Sequence, residues 1–275
     1  TIWRRSLWYM SFLFCTSTIR GDAVVFDLGG VLVETRIMYS VKKLGIHRII
    51  WYMISTRKGI GGLRETLYRL MDSAVKKEYR QHVLYKDEYG NELPLLMCNW
   101  LQGTMSARDI RAMLNKAVVE NDTLFANATE KKLIQRMIRM IFTPHIFAKT
   151  REINDQMLSF VKECKKAGHK VFVLSNWDEE SFNELKLRNT DLFDLFDGIM
   201  ISGSESLAKP DQEFFQRFLE RYELEPTQCW FIDDQYDNVK AARACGMQAI
   251  RYTKTVPLTK IVLKKQGDSV ASAVA

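Results

Sequence analysis

Four short apolar runs follow one another in the second half of the chain: KVFVLS (170–175), GIMIS (198–202), CWFID (229–233) and QAIRY (248–252). Each is short for a helix and too evenly apolar for a strand with one wet face. Each therefore reads as a strand covered on both sides. Amphipathic stretches separate them, and that alternation dictates a parallel sheet with helices on both faces. AVVFD (23–27) has the same character but is cut off from the others by residues 36–149.

The segment in between reads as helices. Ser106 and Asp109 stand at capping-box spacing, with Asp in place of Glu or Gln, and Ile110, Met113, Leu114 and Val118 follow at helical intervals. EKKLIQRMIRMIF (130–142) and LRETLYRLMDSAVKKEYRQHVL (63–84) repeat the pattern. GIGG (59–62) lacks the Lys-Ser/Thr ending of a nucleotide-binding loop and reads as a turn. In the sheet region, Thr150 is expected to cap a helix running through Lys166, with Gly168 stopping it. Pro210 suits a first helical turn, and Gly246 ends a helix that begins near Tyr236. The expected architecture is α/β, a Rossmann-like parallel sheet interrupted after its first strand by an inserted helical cap. The core is placed at 23–35 and 150–260 and the cap at 36–149. An N-terminal extension (1–22) and a loose tail (261–275) complete the chain.

Composition narrows the function classes. With 47% hydrophobic and 27% charged residues the chain has a soluble globular profile. No run approaches the ~20 apolar residues that cross a bilayer, so no membrane partner is expected. Five scattered cysteines suit neither a disulfide framework nor a zinc site, which favours a cytoplasmic location. TIWRRSLWYMSFLFCTSTIRGD (1–22) imitates a secretory signal without a small-x-small cleavage site, and a cleaved leader is the weaker alternative. The net charge of +7 is concentrated: residues 36–150 hold 20 Lys+Arg against 10 Asp+Glu. A solvated helical surface is the plain account, and a field drawing an anionic ligand is the alternative. No nucleic-acid motif accompanies these cations, so nucleic acid is not expected.

Ligands of open α/β sheets lie beyond the carboxyl ends of the strands. Asp27 follows the first strand, Ser175 and Asn176 the second, and Asp233 and Asp234 the fourth. Lys209 and Pro210 open the helix after the third. Singly, these are ordinary turn, loop and cap residues. Adjacent aspartates after a buried strand are less ordinary, because like charges raise each other's cost unless a cation offsets them.

In this order the pieces FDLGGVL (26–32), VLSNWD (173–178), SLAKPDQEFF (206–215) and FIDDQYDNVKAARACGM (231–247) resemble the haloacid dehalogenase superfamily, in its helical-cap, phosphatase-like members. The resemblance implies that Asp27 attacks phosphorus and forms an aspartyl-phosphate. It implies Mg2+ held by Asp27, the Gly29 carbonyl and Asp234, with Asp233 supporting it through water. Ser175, Lys209 and the Asn176 backbone N–H would hold phosphate oxygens, and Gly29 and Gly30 would let the backbone approach them. A carboxyl two residues after the nucleophile usually serves as general acid, and here that position is Gly29. Glu34, His47, His82 and His145 are candidate substitutes, while His169, just before a strand, reads as a surface or satisfied histidine. Dehalogenation fits poorly, because the acidic pair points to phosphate. The expected function is hydrolysis of a small anionic phosphorylated metabolite, a sugar phosphate being one example. A weak or inactive phospho-ligand-binding module is the alternative, and a phosphotransferase is third. Oligomeric state is left open by the sequence.

Overall fold

Valine, isoleucine and phenylalanine, stiff at the β-carbon or bulky enough to fill a pleated surface, make up the continuous apolar runs, and these become one sheet. The computed structural model describes residues 23–75, 85–87 and 90–254. Its central sheet contains β1 (Ala23–Phe26), β4 (Lys170–Ser175), β5 (Gly198–Ile201), β6 (Cys229–Asp233) and β7 (Gln248–Arg251). The order is β5-β4-β1-β6-β7 and every pairing is parallel. Successive side chains of a strand point to opposite faces, so the strands feed two separate cores. Val24, Phe26, Val171 and Val173 pack on one face with Phe160 and Val161. Val25, Phe172 and Leu174 pack on the other with Phe214, Phe215 and Phe218. The chain runs outward from β1 to β4 and β5, then returns to its far side for β6 and β7. That reversal is a topological switch point, and it opens a crevice at the carboxyl end of β1.

Helices α8 (Asp155–Lys166), α9 (Glu179–Arg188), α10 (Thr190–Phe193), α11 (Gln212–Arg221) and α12 (Tyr236–Ala244) cover the sheet. The insert leaves through β2 (Val33–Thr35) and returns through β3 (Arg151–Ile153), which pair antiparallel as a two-stranded neck. Between them lie α1 (Ile37–Leu44), α2 (Ile46–Thr56), α3 (Gly61–Ser73), α4 (Leu95–Leu101), α5 (Ala107–Glu120), α6 (Ala128–Ile141) and α7 (Pro144–Lys149). These helices bury a core of their own around Tyr52, Leu70, Ile110, Leu114, Ile134 and Phe142. Ser106 caps α5 as its spacing predicts: its hydroxyl accepts from the Asp109 N–H at 3.1 Å and donates to the Asp109 carboxylate. The insert also leans on the sheet domain. Ser202 Oγ donates to the Leu101 carbonyl, and Lys86 pairs with Asp237 at 2.9 Å. A β-carbon on Gly103 would fall 2.0 Å from the Gly203 carbonyl oxygen, so the two surfaces touch backbone to backbone there.

Three expected helix boundaries move. Thr150 ends α7 rather than starting a helix, and Asn154 caps α8, its side-chain oxygen accepting from the N–H groups of Gln156 and Met157. Pro210 lies ahead of α11, whose cap is Asp211. Gly61 and Gly62 open α3 instead of remaining in a turn. The extension 1–22, the tail 261–275 and the second half of the 63–84 helix candidate lie outside the described residues. Among the described residues no helix is long and apolar enough to cross a membrane.

Candidate active site

Each strand end delivers one part of a cluster. The Asp27 N–H donates to the Ile232 carbonyl at 2.9 Å, which extends the β1–β6 register one step and fixes where the side chain leaves the sheet. Asp27 Oδ1 then accepts from Ser175 Oγ at 2.8 Å and from Lys209 Nζ at 2.6 Å. Lys209 is 1% exposed, and its ammonium also donates to Asp233 Oδ2 at 2.7 Å and to the Leu174 carbonyl at 2.9 Å. All three donor positions of the ammonium are thereby used. Asp233 is held in turn by the Gln235 N–H at 2.8 Å and by the Asn238 amide at 3.0–3.1 Å. The Asn176 side chain grips the Lys209 backbone from both sides: Lys209 N donates to its Oδ1 at 2.8 Å, and its Nδ2 donates to the Lys209 carbonyl at 2.7 Å. That side chain positions the lysine.

Asp234 differs from its neighbour. Its Oδ1 is buried and has no hydrogen-bond partner among the described residues. One carboxylate oxygen from each of Asp27, Asp233 and Asp234 lies within 4.8 Å of the others. Three carboxylates against one ammonium leave an excess of two negative charges, which a divalent cation would cancel. An all-oxygen donor set with one orphaned oxygen fits a hard cation such as magnesium. The electrostatics agree. Burial pushes the Asp234 carboxyl up to about 7, with Asp27 and Asp233 adding to the rise. Burial likewise pushes Asp27 up to about 6, against the pull of Lys209. For Lys209 burial acts downward, but Asp233 and Asp27 outweigh it and hold the ammonium above its ordinary range.

Gly30 is required by this packing. Its φ is +77°, and a β-carbon there would come within 2.4 Å of Asp234 Oδ2. Gly29 carries no such restriction. It bridges to Val33, and a β-carbon on it would sit 3.7 Å from the Trp177 ring, an ordinary contact.

A family model described as haloacid dehalogenase-like hydrolase matches residues 22–246. The chain belongs to that family. Among relatives of the haloacid dehalogenase-like chain, Sesquiterpene phosphatase astK of Aspergillus oryzae is 34% identical over 101 residues, covering 37% of this chain and 51% of that protein. Phosphatase MT3486 of Mycobacterium tuberculosis is 35% identical over 89 residues, covering 32% of this chain and 41% of that protein. The matched stretches thus span about half or less of those relatives. A HAD family enzyme of Bacteroides thetaiotaomicron, crystallised with magnesium and inorganic phosphate, superposes with a TM-score of 0.51 at 14% identity. The match covers 88% of this chain and 98% of that one, and it shows the haloacid dehalogenase-like fold.

The candidate substitutes for the missing acid that fall among the described residues do not join the cluster. Glu34 is engaged by Asn154 at 3.1 Å and by Lys254 at 3.3 Å. His47 and His145 are exposed on α2 and α7. His169 is buried at the opposite end of β4 from Ser175, and His82 lies outside the described residues. Two neighbours went unremarked in the sequence. Asn238, one turn into α12, is identifiable only once Asp233 is seen to need a second donor. Trp177 packs against Phe147 at 5.8 Å between ring centres and walls the space beside Gly29.

Trp177 is itself braced by a buried carboxyl. Its Nε1 donates to Ser181 Oγ at 2.9 Å, and Ser181 in turn bonds Asp178, which caps α9. Burial raises Asp178 to about 6 from an ordinary 3.8. A raised acid binds its proton more tightly in the folded state, so this contribution is present below pH 4 and is lost as pH rises through 6. Asp178→Asn keeps the cap and removes the charge. The stability difference between wild type and variant is therefore expected to shift in the variant's favour by roughly 2–3 kcal/mol between about pH 4 and pH 7. Urea unfolding of both proteins at the two pH values checks it, and a pH-independent difference refutes it.

Proposed function

We propose that this chain is a magnesium-dependent phosphatase that hydrolyses a small phosphorylated metabolite through an aspartyl-phosphate. The observation carrying this reading is the arrangement of Asp27: one carboxylate oxygen held by Ser175 and Lys209, beside buried Asp233 and half-buried Asp234 with its orphaned oxygen. The phosphatase names of two relatives and the magnesium–phosphate complex of the structural neighbour support the substrate class.

The steps follow from the residues. Asp27 is fixed at Oδ1, so its second oxygen is the one free to attack phosphorus. The ester P–O bond breaks as the new P–O bond forms, and the leaving oxygen takes its proton from solvent water, since position 29 carries no acid. Water then attacks the phosphorus of the aspartyl-phosphate, releasing phosphate and restoring the Asp27 carboxylate. Lys209 and Ser175 turn their donors from Asp27 toward the phosphoryl oxygens, where negative charge grows. Asp27, Asp234 and the Gly29 carbonyl would hold Mg2+, with Asp233 behind them. When bound, that cation would offset the charge of carboxylate and phosphate. The division into a sheet unit (23–35 and 150–260) and a cap (36–149) suits a site closed by the insert during the reaction.

Turnover of phosphorylated metabolites and of an aryl phosphate should require Mg2+ and should fall to background in Asp27→Asn. Gly29 favours one second reading, a phospho-ligand-binding module without efficient chemistry. Wild type and variant that are equally inert, yet bind phosphate ligands, would establish that reading instead.

A further inference from the structure

The cap carries a surface that its own fold does not use. Of the eleven large apolar side chains left exposed among the described residues, eight lie between positions 37 and 60. Helix α2 turns Ile49 and Tyr52 into the cap core, which accounts for one face. Ile46, Ile50 and Met53 then form a second stripe at positions i, i+4 and i+7, with Trp51 and Ile54 beside it, and all five face solvent. Ile37 and Met38 extend the exposed apolar surface onto α1, joined to α2 through Gly45 alone. An exposed patch of this extent marks an interaction surface.

Charge selects the partner. Residues 36–60 contain six Lys+Arg and no Asp or Glu. Lys42, Lys43, Arg57 and Lys58 are exposed, at the end of α1 and just past the end of α2, and none pairs with an acidic side chain among the described residues. Cations at the rim of an apolar stripe that carries a tryptophan match the headgroup region of a lipid bilayer, where anionic lipids attract the rim and the stripe enters the acyl boundary. A second copy of this face fits poorly, because a twofold contact would set the cationic segment against itself.

We propose that the α1–α2 face of the cap docks reversibly on anionic membrane surfaces. The absence of a spanning segment made a membrane partner unexpected, but a helix lying in the interface needs none. The inference rests on the surface alone and does not depend on the proposed chemistry.

Co-sedimentation of the full chain with vesicles tests it. Binding is expected to phosphatidylcholine vesicles containing about one third phosphatidylserine, and to weaken severalfold between about 50 mM and about 500 mM salt. The double substitution Ile50→Glu and Ile54→Glu should cut it at least about tenfold with an unchanged melting temperature, since both side chains are exposed. Trp51→Phe should still sediment yet lose a vesicle-induced blue shift of tryptophan emission. No binding to the anionic vesicles, or equal binding by the double variant, overturns the proposal. So does a dimer in ultracentrifugation that the double variant dissolves, which would assign the face to a second copy.

Discussion

Lys209→Met is expected to abolish phosphate-ester turnover and to destabilise the fold by about 3–5 kcal/mol, the usual cost of removing one partner from a buried ion-pair cluster. The reason is a negative-charge excess that the ammonium offsets in wild type and that goes unopposed in the variant. Lys209 is 1% exposed and stands between Asp27 and Asp233, 9% and 0% exposed at their side chains. Methionine of similar length fills the volume but donates nothing. Asp27 loses its shortest bond, Asp233 keeps only the Gln235 and Asn238 donors, and the Leu174 carbonyl loses its ammonium partner. Chemical unfolding at pH 7 measures the cost. Asp233→Asn should cost less, because it removes an anion from a cluster that has too many and preserves its shape. A Lys209→Met protein as stable as wild type would show that the three carboxylates do not depend on the ammonium, and the site as drawn would be wrong.

The strands were legible because β1, β4 and β6 are buried on both faces, and that burial writes itself into sequence as unbroken apolar runs. What stands at their ends was legible for a related reason. Each residue there is ordinary turn, loop or cap chemistry on its own, but the set of them after successive buried strands, the adjacent Asp233 and Asp234 above all, has no local role to explain it. The neck was not legible: β2 and β3 are three residues each, shorter than any periodicity can register. Thr150 and Asn154 both suit a helix cap, and only the intervening β3 decides for Asn154. Asn176 was placed at the phosphate by resemblance, and among the described residues its backbone N–H makes no loop or turn hydrogen bond. Its side-chain clamp on Lys209 joins residues 33 positions apart, which no local pattern discloses. The Trp177 wall and the Gly103–Gly203 contact are tertiary in the same sense, arising from how the insert settles on the sheet.

Gly29→Asp is expected to raise kcat/KM for alkyl phosphates by roughly 10²–10⁴, the range that a positioned general acid supplies. The position can accept the change. Its φ lies outside the left-handed region, so an L-residue is not strained there, and a β-carbon would meet only the Trp177 ring at an ordinary 3.7 Å. Proximity to that ring would tend to raise the new carboxyl, keeping it protonated and able to donate. An alkoxide leaving oxygen needs that proton, whereas an aryl oxide leaves largely without it. The aryl phosphate rate should therefore change little, and the wild-type preference for the aryl ester should shrink by the same factor that the alkyl rate gains. An equal gain on both esters would place the effect in binding instead of proton transfer. No gain on either, in a variant that folds and binds phosphate as wild type does, would mean that the leaving oxygen already finds its proton elsewhere, and that position 29 was free to become glycine for that reason.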